Sequence, residues 1–538
     1  MADQLIHFGK LSLLYDNGFV RYIRAGKIEI VRNIYFALRD NNWTTASIVR
    51  SDERSSVTPK NFEITYTATN VVDDKAVFRW HVKIAGSESG EIGFSVDGEC
   101  LAPYNRNRAG ICVLHPIRDT RDKPLHITRP DGSVYESKFP SIINPHQPFF
   151  DIRKMGWPLT DDVWAELQFE GDIFETEDQR NWSDASFKNY STPLSIPYPV
   201  MLKPGDKVNQ QVKLKLINGD SLPVVDFAED VEVTIDERSS KLFPKIGTDF
   251  LFDKTAPKED LKVLDLDHLR IEVDLSASSW REQLHAGLKE AETILAKPFI
   301  HLVMSTPVDW EQFASVKLPG VTRLAISPVD RKANVDELLK SVLPKARKLF
   351  PGALIGAGFT SYFTELNRNR FDYSNLDFVI YPVTPQAHLT DAHTVIENLP
   401  AQKDQVETGK SFATGKKIHV GPVYLRSVSD RLAAGWMLGS IKYLAEGGAE
   451  CITMFESGGY LNTSPSYDIL RALIALSPKT IISSSCNEPL IVTSMLIESG
   501  TGQRHLILAN HTSSNKSVAV SGKLYTLYEY EIRFVLLT

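Results

Sequence analysis

The sequence predicts a multidomain protein: a large N-terminal β-sandwich, then an eight-stranded (β/α)8 TIM barrel, then a short set of C-terminal strands. Three observations carry this reading. The first 220 residues hold many short apolar or alternating runs, separated by turn signals and free of any sustained helical period. From about residue 241 strands and amphipathic helical patterns alternate, and the strand count reaches eight. Beyond residue 482 only strand patterns remain.

In the first region the runs fall at 27–37, 61–67, 76–84, 93–96, 111–115, 163–170 and 212–217. Between them lie Asp16-Asn17-Gly18, Pro130-Asp131-Gly132 and Asn218-Gly219-Asp220, which are turn sequences. Many strands at short spacing imply a supersandwich-like domain over residues 1–225. The barrel is assigned to 240–482, with strands at 245–252, 269–275, 299–305, 321–327, 353–360, 376–382, 418–424 and 451–455. These are near-continuous apolar runs, as strands covered on both faces must be. Helical periods fall between them at 280–296, 335–349 and 430–445, and a final helical stretch lies at 469–476. Residues 483–538 carry the last strands, at 490–496, 505–509, 517–520 and 530–536, and are expected to pair with sandwich strands.

Composition narrows the function classes. The 538 residues are 42% hydrophobic and 24% charged, an ordinary globular balance, so two or three packed domains are expected. The net charge is −7 and no basic stripe stands out, which argues against a nucleic-acid partner. No apolar run is long enough for a membrane span, and the N-terminal residues do not read as a signal peptide. Four cysteines, Cys100, Cys112, Cys451 and Cys486, form no CxxC pair and read as reduced thiols of a cytoplasmic protein. Aromatic residues make up 10%, which suits a small sugar-like ligand. A homo-oligomer is compatible with these data.

Catalytic groups of such a barrel belong at the C-terminal ends of its strands. Strand one ends with Asp249 and Asp253, and strand two carries Arg270, Glu272 and Asp274. Strand five runs into TSYFTELNRNR, with Glu365, Asn367 and Arg368; strand six runs into PQAH, with Gln386 and His388. Strand seven ends at Tyr424 and Arg426, and strand eight ends MFESGG, with Glu456. Glu365 and Glu456 come from strands three apart and are expected to face each other across the mouth. Two opposed carboxylates suit glycoside chemistry, and they equally suit lactone hydrolysis, where one activates water. His388 is a candidate proton donor, since imidazole titrates near neutrality. Arg368 and Arg426 are candidates to hold an oxyanion; Asn367, Gln386 and Tyr424 are candidates to bind substrate.

A second dense stretch, 169–194, mixes charge with rings: FEGDIFETEDQRNWSDASFKNYSTPL. A plain solvated turn has little use for Trp182, Phe187 and Tyr190. It reads as a buried polar network or as a wall of the active site, with Glu177, Asp178, Arg180 and Trp182 as substrate-binding candidates and His115 and His146 close by. No HExxH or similar spacing appears, so no metal and no other cofactor is expected. There is no GxSxG elbow and no Walker loop, and Gly356-Ala357-Gly358 is only a fragment of a dinucleotide fingerprint.

GDIFETEDQRNWSDASFKNYSTPL, followed in order by FTELNRNR, PQAH and MFESGG, resembles the D-apionate lactonase family of bacterial sugar-acid catabolism over nearly the whole chain. The family favours FEMEDQRNWTDASYKTY, and this chain differs at Thr176, Ser183, Phe187 and Asn189. The resemblance implies hydrolysis of D-apionolactone to D-apionate, with a small sugar lactone as ligand. It assigns no catalytic residue; the roles of Glu365, Glu456 and His388 rest on barrel position. The competing readings are a glycoside hydrolase acting on a plant oligosaccharide and a non-catalytic carbohydrate-binding protein.

Overall fold

The computed structural model describes residues 3–222, 231–252, 261–316, 318, 320–426, 428–456 and 465–537. The chain divides into two compact units. One comprises Met1–Gln179 with Ser186–Glu229, the other Arg180–Ala185 with Asp230–Thr538. Among the described residues no helix is long and apolar enough to cross a membrane.

The first unit holds two nine-stranded sheets. In one, Ile28–Asp40 pairs antiparallel with Tyr104–Pro116, which pairs with Ser186–Tyr190. The other runs through Lys207–Ile217, Glu91–Cys100, Lys75–Ser87 and Asn61–Val72, all antiparallel. In Asn61–Val72 Phe62, Ile64, Tyr66 and Ala68 are buried at every second position, so one face points to the core. The two buried faces meet through rings: Phe36 lies 5.1 Å from Trp80, and His115 lies 5.1 Å from Trp157. Trp80 is fully buried, yet its indole N–H is satisfied by Asn70 Oδ1 at 2.7 Å. Gly98 makes room for it, since a Cβ there would fall 2.5 Å from the Trp80 ring. His115, expected near a site, is a core histidine bonded to Asn189.

The second unit contains a closed barrel of eight parallel strands. They are β1 (Lys245–Asp249), β2 (His268–Asp274), β3 (Lys297–Met304), β4 (Arg323–Pro328), β5 (Leu354–Gly358), β6 (Phe378–Val383), β7 (Lys417–Val423) and β8 (Cys451–Glu456). All eight lie where the apolar runs predict, with ends moved by a few residues. The helices are α1 (Trp280–Thr293), α2 (Pro307–Ala314), α3 (Val335–Leu349), α4 (Phe363–Arg368), α5 (Ala392–Glu397), α6 (Ala401–Phe412), α7 (Asp430–Gly447) and α8 (Ser466–Ala475). Asn334 starts α3 by accepting from the backbone N–H groups of Asp336 (3.1 Å) and Glu337 (3.4 Å). Four of these helices, α2, α4, α5 and α6, are not expected from periodicity. Three of them have eight residues or fewer, too short to show two helical repeats.

Inside the barrel Phe299, Ala325, Phe378 and Ile380 form an apolar plug, and His419 stacks on Phe378 at 3.9 Å. Gly356 and Gly358 belong to this crowding, not to a nucleotide loop. A Cβ on Gly358 would sit 1.8 Å from the Ile380 carbonyl oxygen.

The C-terminal strands do not join the N-terminal sheets, as the sequence leads one to expect. They build a seven-stranded sheet of their own around Val231–Leu242, which lies antiparallel to Pro478–Cys486 and parallel to Lys516–Val520. The reason lies in the core: Val231 and Val233, from the strand before the barrel, pack into one hydrophobic layer with Leu496, Leu506, Leu508, Val518 and Leu527. The buried Lys442–Glu446 ion pair on α7 (2.7 Å) reaches this sheet, where Ser484 N donates to Glu446 Oε1 at 3.2 Å.

Several buried histidines give the fold a pH dependence. Burial holds His511 down to about 4, and burial also lowers His115 to about 4 despite its bond to Asn189. Glu450 lies at about 2; burial alone would raise it, but His419, Lys417 and Lys245 outweigh that. In each case the unfolded chain binds the proton first. Stability is therefore complete above about pH 6.5 and is lost as pH falls toward 4, by the order of 3 kcal/mol for one such histidine. Urea midpoints measured from pH 8 to 4 should stay level to about 6.5 and then decline, and a flat profile would contradict this account.

Candidate active site

The segment Arg180–Ala185 sits between strands of the first unit but belongs to the second. At its foot Ser186 Oγ donates to Gln179 Oε1 at 2.8 Å, and its turn places Ser183 in the left-handed region at φ 72°. The Arg180 guanidinium is fully buried and donates to Asp404 Oδ2 on α6 at 3.0 Å. Gln405 Nε2 donates to the Arg180 carbonyl (2.7 Å) and to Ser183 Oγ (3.0 Å). Asn367 Nδ2 donates to Asn181 Oδ1 (2.9 Å), and Ala185 N donates to Asn398 Oδ1 (3.0 Å). All these partners follow β5 or β6. A buried Arg must be paired, and this pairing holds the segment against the C-terminal side of the barrel.

The segment brings Asp184 to His388. β6 ends at Val383, and five residues on His388 Nδ1 lies 2.6 Å from Asp184 Oδ2. Asp184 Oδ1 accepts from Asn398 Nδ2 at 2.8 Å, and the same amide donates to the Pro385 carbonyl at 2.9 Å. Asp184 is buried and, when ionised, can only accept hydrogen bonds. Nδ1 therefore carries the proton and Nε2 becomes the basic nitrogen. The Trp182 ring lies beside this pair, 6.2 Å from His388 and 5.1 Å from Tyr362, with the Arg368 guanidinium 5.8 Å from it. The Tyr362 phenol is raised above its usual value, first by burial and next by Glu365. Arg331 and Arg426 pull it back and Asp184 adds to the rise, so four charges surround one hydroxyl. Gln386 and the Arg426 backbone bond reciprocally, at 2.6 and 2.7 Å, and the Arg426 guanidinium lies 5.1 Å from the Tyr424 ring.

Trp182, His388, Arg368, Asn367, Gln386, Tyr424 and Arg426 thus all fall on the C-terminal side of the barrel. Other expectations change. Glu365 is the third residue of α4, and its Oε2 accepts from Tyr362 N at 2.9 Å as a helix cap, with Arg331 3.9 Å away. Arg180 and Asn367 are buried in the docking contacts and hold the segment in place of reaching outward. Glu177 and Asp178 stay in the first unit, where Lys188 lies 2.8 Å from Glu177 and Asn144 N donates to Asp178 at 3.0 Å. β8 ends at Glu456, but its side chain, like Asp253, lies outside the described residues, and so does its expected convergence with Glu365.

Sequence reasoning missed Tyr362, Asn398 and the pairing role of Asp184. It named Asp249, Arg270 and Glu272 at strand ends but not their joining with His301 and Ser327 into one polar group within the barrel. Arg270, fully buried, donates to Asp249 Oδ1 (2.6 Å), to Glu272 and to His301 Nδ1 (3.1 Å from Nε), while His301 Nε2 lies 2.7 Å from Ser327 Oγ. The signal was present in β2, where His268, Arg270, Glu272 and Asp274 alternate with Leu269, Ile271 and Val273.

A closed eight-stranded barrel with a histidine–carboxylate pair at the end where its strands finish is a (β/α)8-barrel enzyme. Comparison with known proteins makes this more specific. Sequence models described as "D-apionate lactonase, N-terminal domain" and "D-apionate lactonase, TIM barrel domain" match residues 1–219 and 251–430. A curated D-apionate lactonase from Brucella anthropi is 29% identical over 437 residues, spanning 77% of this chain and 71% of that protein. The chain belongs to the D-apionate lactonase family. Among solved structures, a Paenibacillus polymyxa xyloglucanase of glycoside hydrolase family 44 is 10% identical, with TM-score 0.43 over 58% of this chain and 100% of that one. A β-arabinopyranosidase is 9% identical, with TM-score 0.30 over 99% and 98% of the two chains.

Removing Arg180 leaves Asp404 buried without its cation, so Arg180→Met should cost about 3–5 kcal/mol in chemical denaturation. Arg180→Met combined with Asp404→Leu should recover most of that loss; a double variant as unstable as the single one would show that the pair is not what holds the segment.

Proposed function

We propose that this chain is a lactone hydrolase that opens D-apionolactone to D-apionate, with His388 as the proton-transfer group. Family membership supports the substrate class, and the buried Asp184 against His388 Nδ1 is the observation that carries the mechanism. Water attacks the lactone carbonyl carbon while His388 Nε2 removes its proton. The tetrahedral oxyanion then collapses, the bond from the carbonyl carbon to the ring oxygen breaks, and the imidazolium returns the proton to that oxygen. Asp184 fixes the ring and stabilises the imidazolium. Arg426 and Arg368 supply positive charge for the oxyanion, and Trp182 offers an apolar face to the sugar ring. Glu365 shapes the wall as a cap of α4. Glu456, at the end of β8, remains a candidate second carboxylate in this reading.

The same reading places the reaction in the cytoplasm, where a small imported lactone is available and the free thiols Cys100, Cys112, Cys451 and Cys486 stay reduced.

A pH-stat assay with D-apionolactone tests the proposal. His388→Gln should lower kcat by roughly 10²–10⁴-fold, the span of general acid–base catalysis. Asp184→Asn should keep the ring in place but favour the wrong tautomer, and lower kcat by at least about 10-fold. Turnover within a few-fold of wild type in His388→Gln would remove the histidine from the mechanism.

A further inference from the structure

The polar group inside the barrel contains more negative charge than its burial needs. Arg270 is fully buried, and Asp249 on β1, itself buried, already neutralises it at 2.6 Å. Glu272 adds a second carboxylate. His301 adds no charge: Arg270 Nε and Nη2 lie 3.1 and 2.7 Å from its Nδ1, and an arginine can only donate, so Nδ1 is unprotonated. The group therefore carries a net charge of −1, at a level of β2 that leads to the C-terminal mouth. The excess charge is the accessible one. The Glu272 side chain is 41% exposed, against 10% for Asp249 and 1% for Arg270. One Glu272 oxygen is held by Arg270, and Oε1 has no hydrogen-bond partner among the described residues.

We infer that Glu272 is a specificity-determining residue that accepts hydrogen bonds from the hydroxyl groups of the sugar lactone, with Arg270 as the positioning residue that aims its carboxylate. This rests on the lactone hydrolase reading given above. An ionised carboxylate is acceptor-only, so it matches hydroxyl donors and repels a carboxylate. A substrate lactone has no charge and several hydroxyls; the product has gained a carboxylate. Glu272 would therefore favour the lactone's hydroxyl-bearing end and oppose any pose that brings the new carboxylate to β2.

The test compares wild type with Glu272→Gln on D-apionolactone, on unsubstituted γ-butyrolactone, and in calorimetric binding of a tetrahydrofuran polyol bearing the same hydroxyls. The variant should raise KM for D-apionolactone and weaken polyol binding by roughly 10- to 100-fold, the scale of a charged hydrogen bond, with kcat within a few-fold. Any turnover of γ-butyrolactone should be unchanged. A fall in kcat with unchanged polyol affinity, or polyol affinity equal in both proteins, overturns the inference. Should Glu272→Gln fail to fold, Glu272→Asp retains the charge at shorter reach and should still weaken polyol binding. Wild-type protein that binds the polyol through Glu272 but opens no lactone would refute the hydrolase reading while leaving a hydroxyl-binding carboxylate.

Discussion

The burial of the Arg180 guanidinium against Asp404 is the constraint on which the rest of the site depends. A six-residue excursion loses considerable conformational entropy when it is ordered, and it contains too little apolar surface to compensate. A desolvated charge pair, flanked by the amides of Gln405, Asn367 and Asn398, makes that ordering specific, since any other placement leaves a cation or several donors unsatisfied. Once the segment is docked, Asp184 has one available position, and that position is beside His388 Nδ1.

The barrel separates its duties along its axis. Phe299, Phe378 and Ile380 fill the interior as a packed plug, with glycines at 356 and 358 where no Cβ fits. Past that plug the interior becomes polar, through Asp249, Arg270, Glu272, His301 and Ser327. Charge survives there because Arg270 pairs with Asp249 and Glu272, and the Glu272 carboxylate is partly exposed. The cost is in stability, and the return is a mouth with fixed donors and acceptors.

Glycosidase-like and lactonase chemistry differ in what the leaving atom requires. An aldonolactone carbonyl is already planar and electrophilic, so a single well-oriented base can activate water. In the proposed mechanism the histidine held by Asp184 is that base. This is consistent with Glu365 serving as a helix cap, a role that fixes Tyr362 and shapes the wall beside Trp182.

Much of this was legible in the residues alone. Apolar runs of strand length predict all eight barrel strands, because a strand buried on both faces has no choice but to be apolar along its length. The motif around Arg180 and Trp182 stands out because a solvated turn does not need buried rings and charges. Local patterns could not reveal pairings across the chain. Asp184 and His388 are 204 residues apart, and Arg180 and Asp404 are 224 apart. Nor could they show that Val231–Leu242 belongs with the C-terminal strands, or that 180–185 belongs with the barrel. Periodicity records which face of an element is buried; which partner covers that face is settled only when the folded chain must satisfy every buried charge and donor at once.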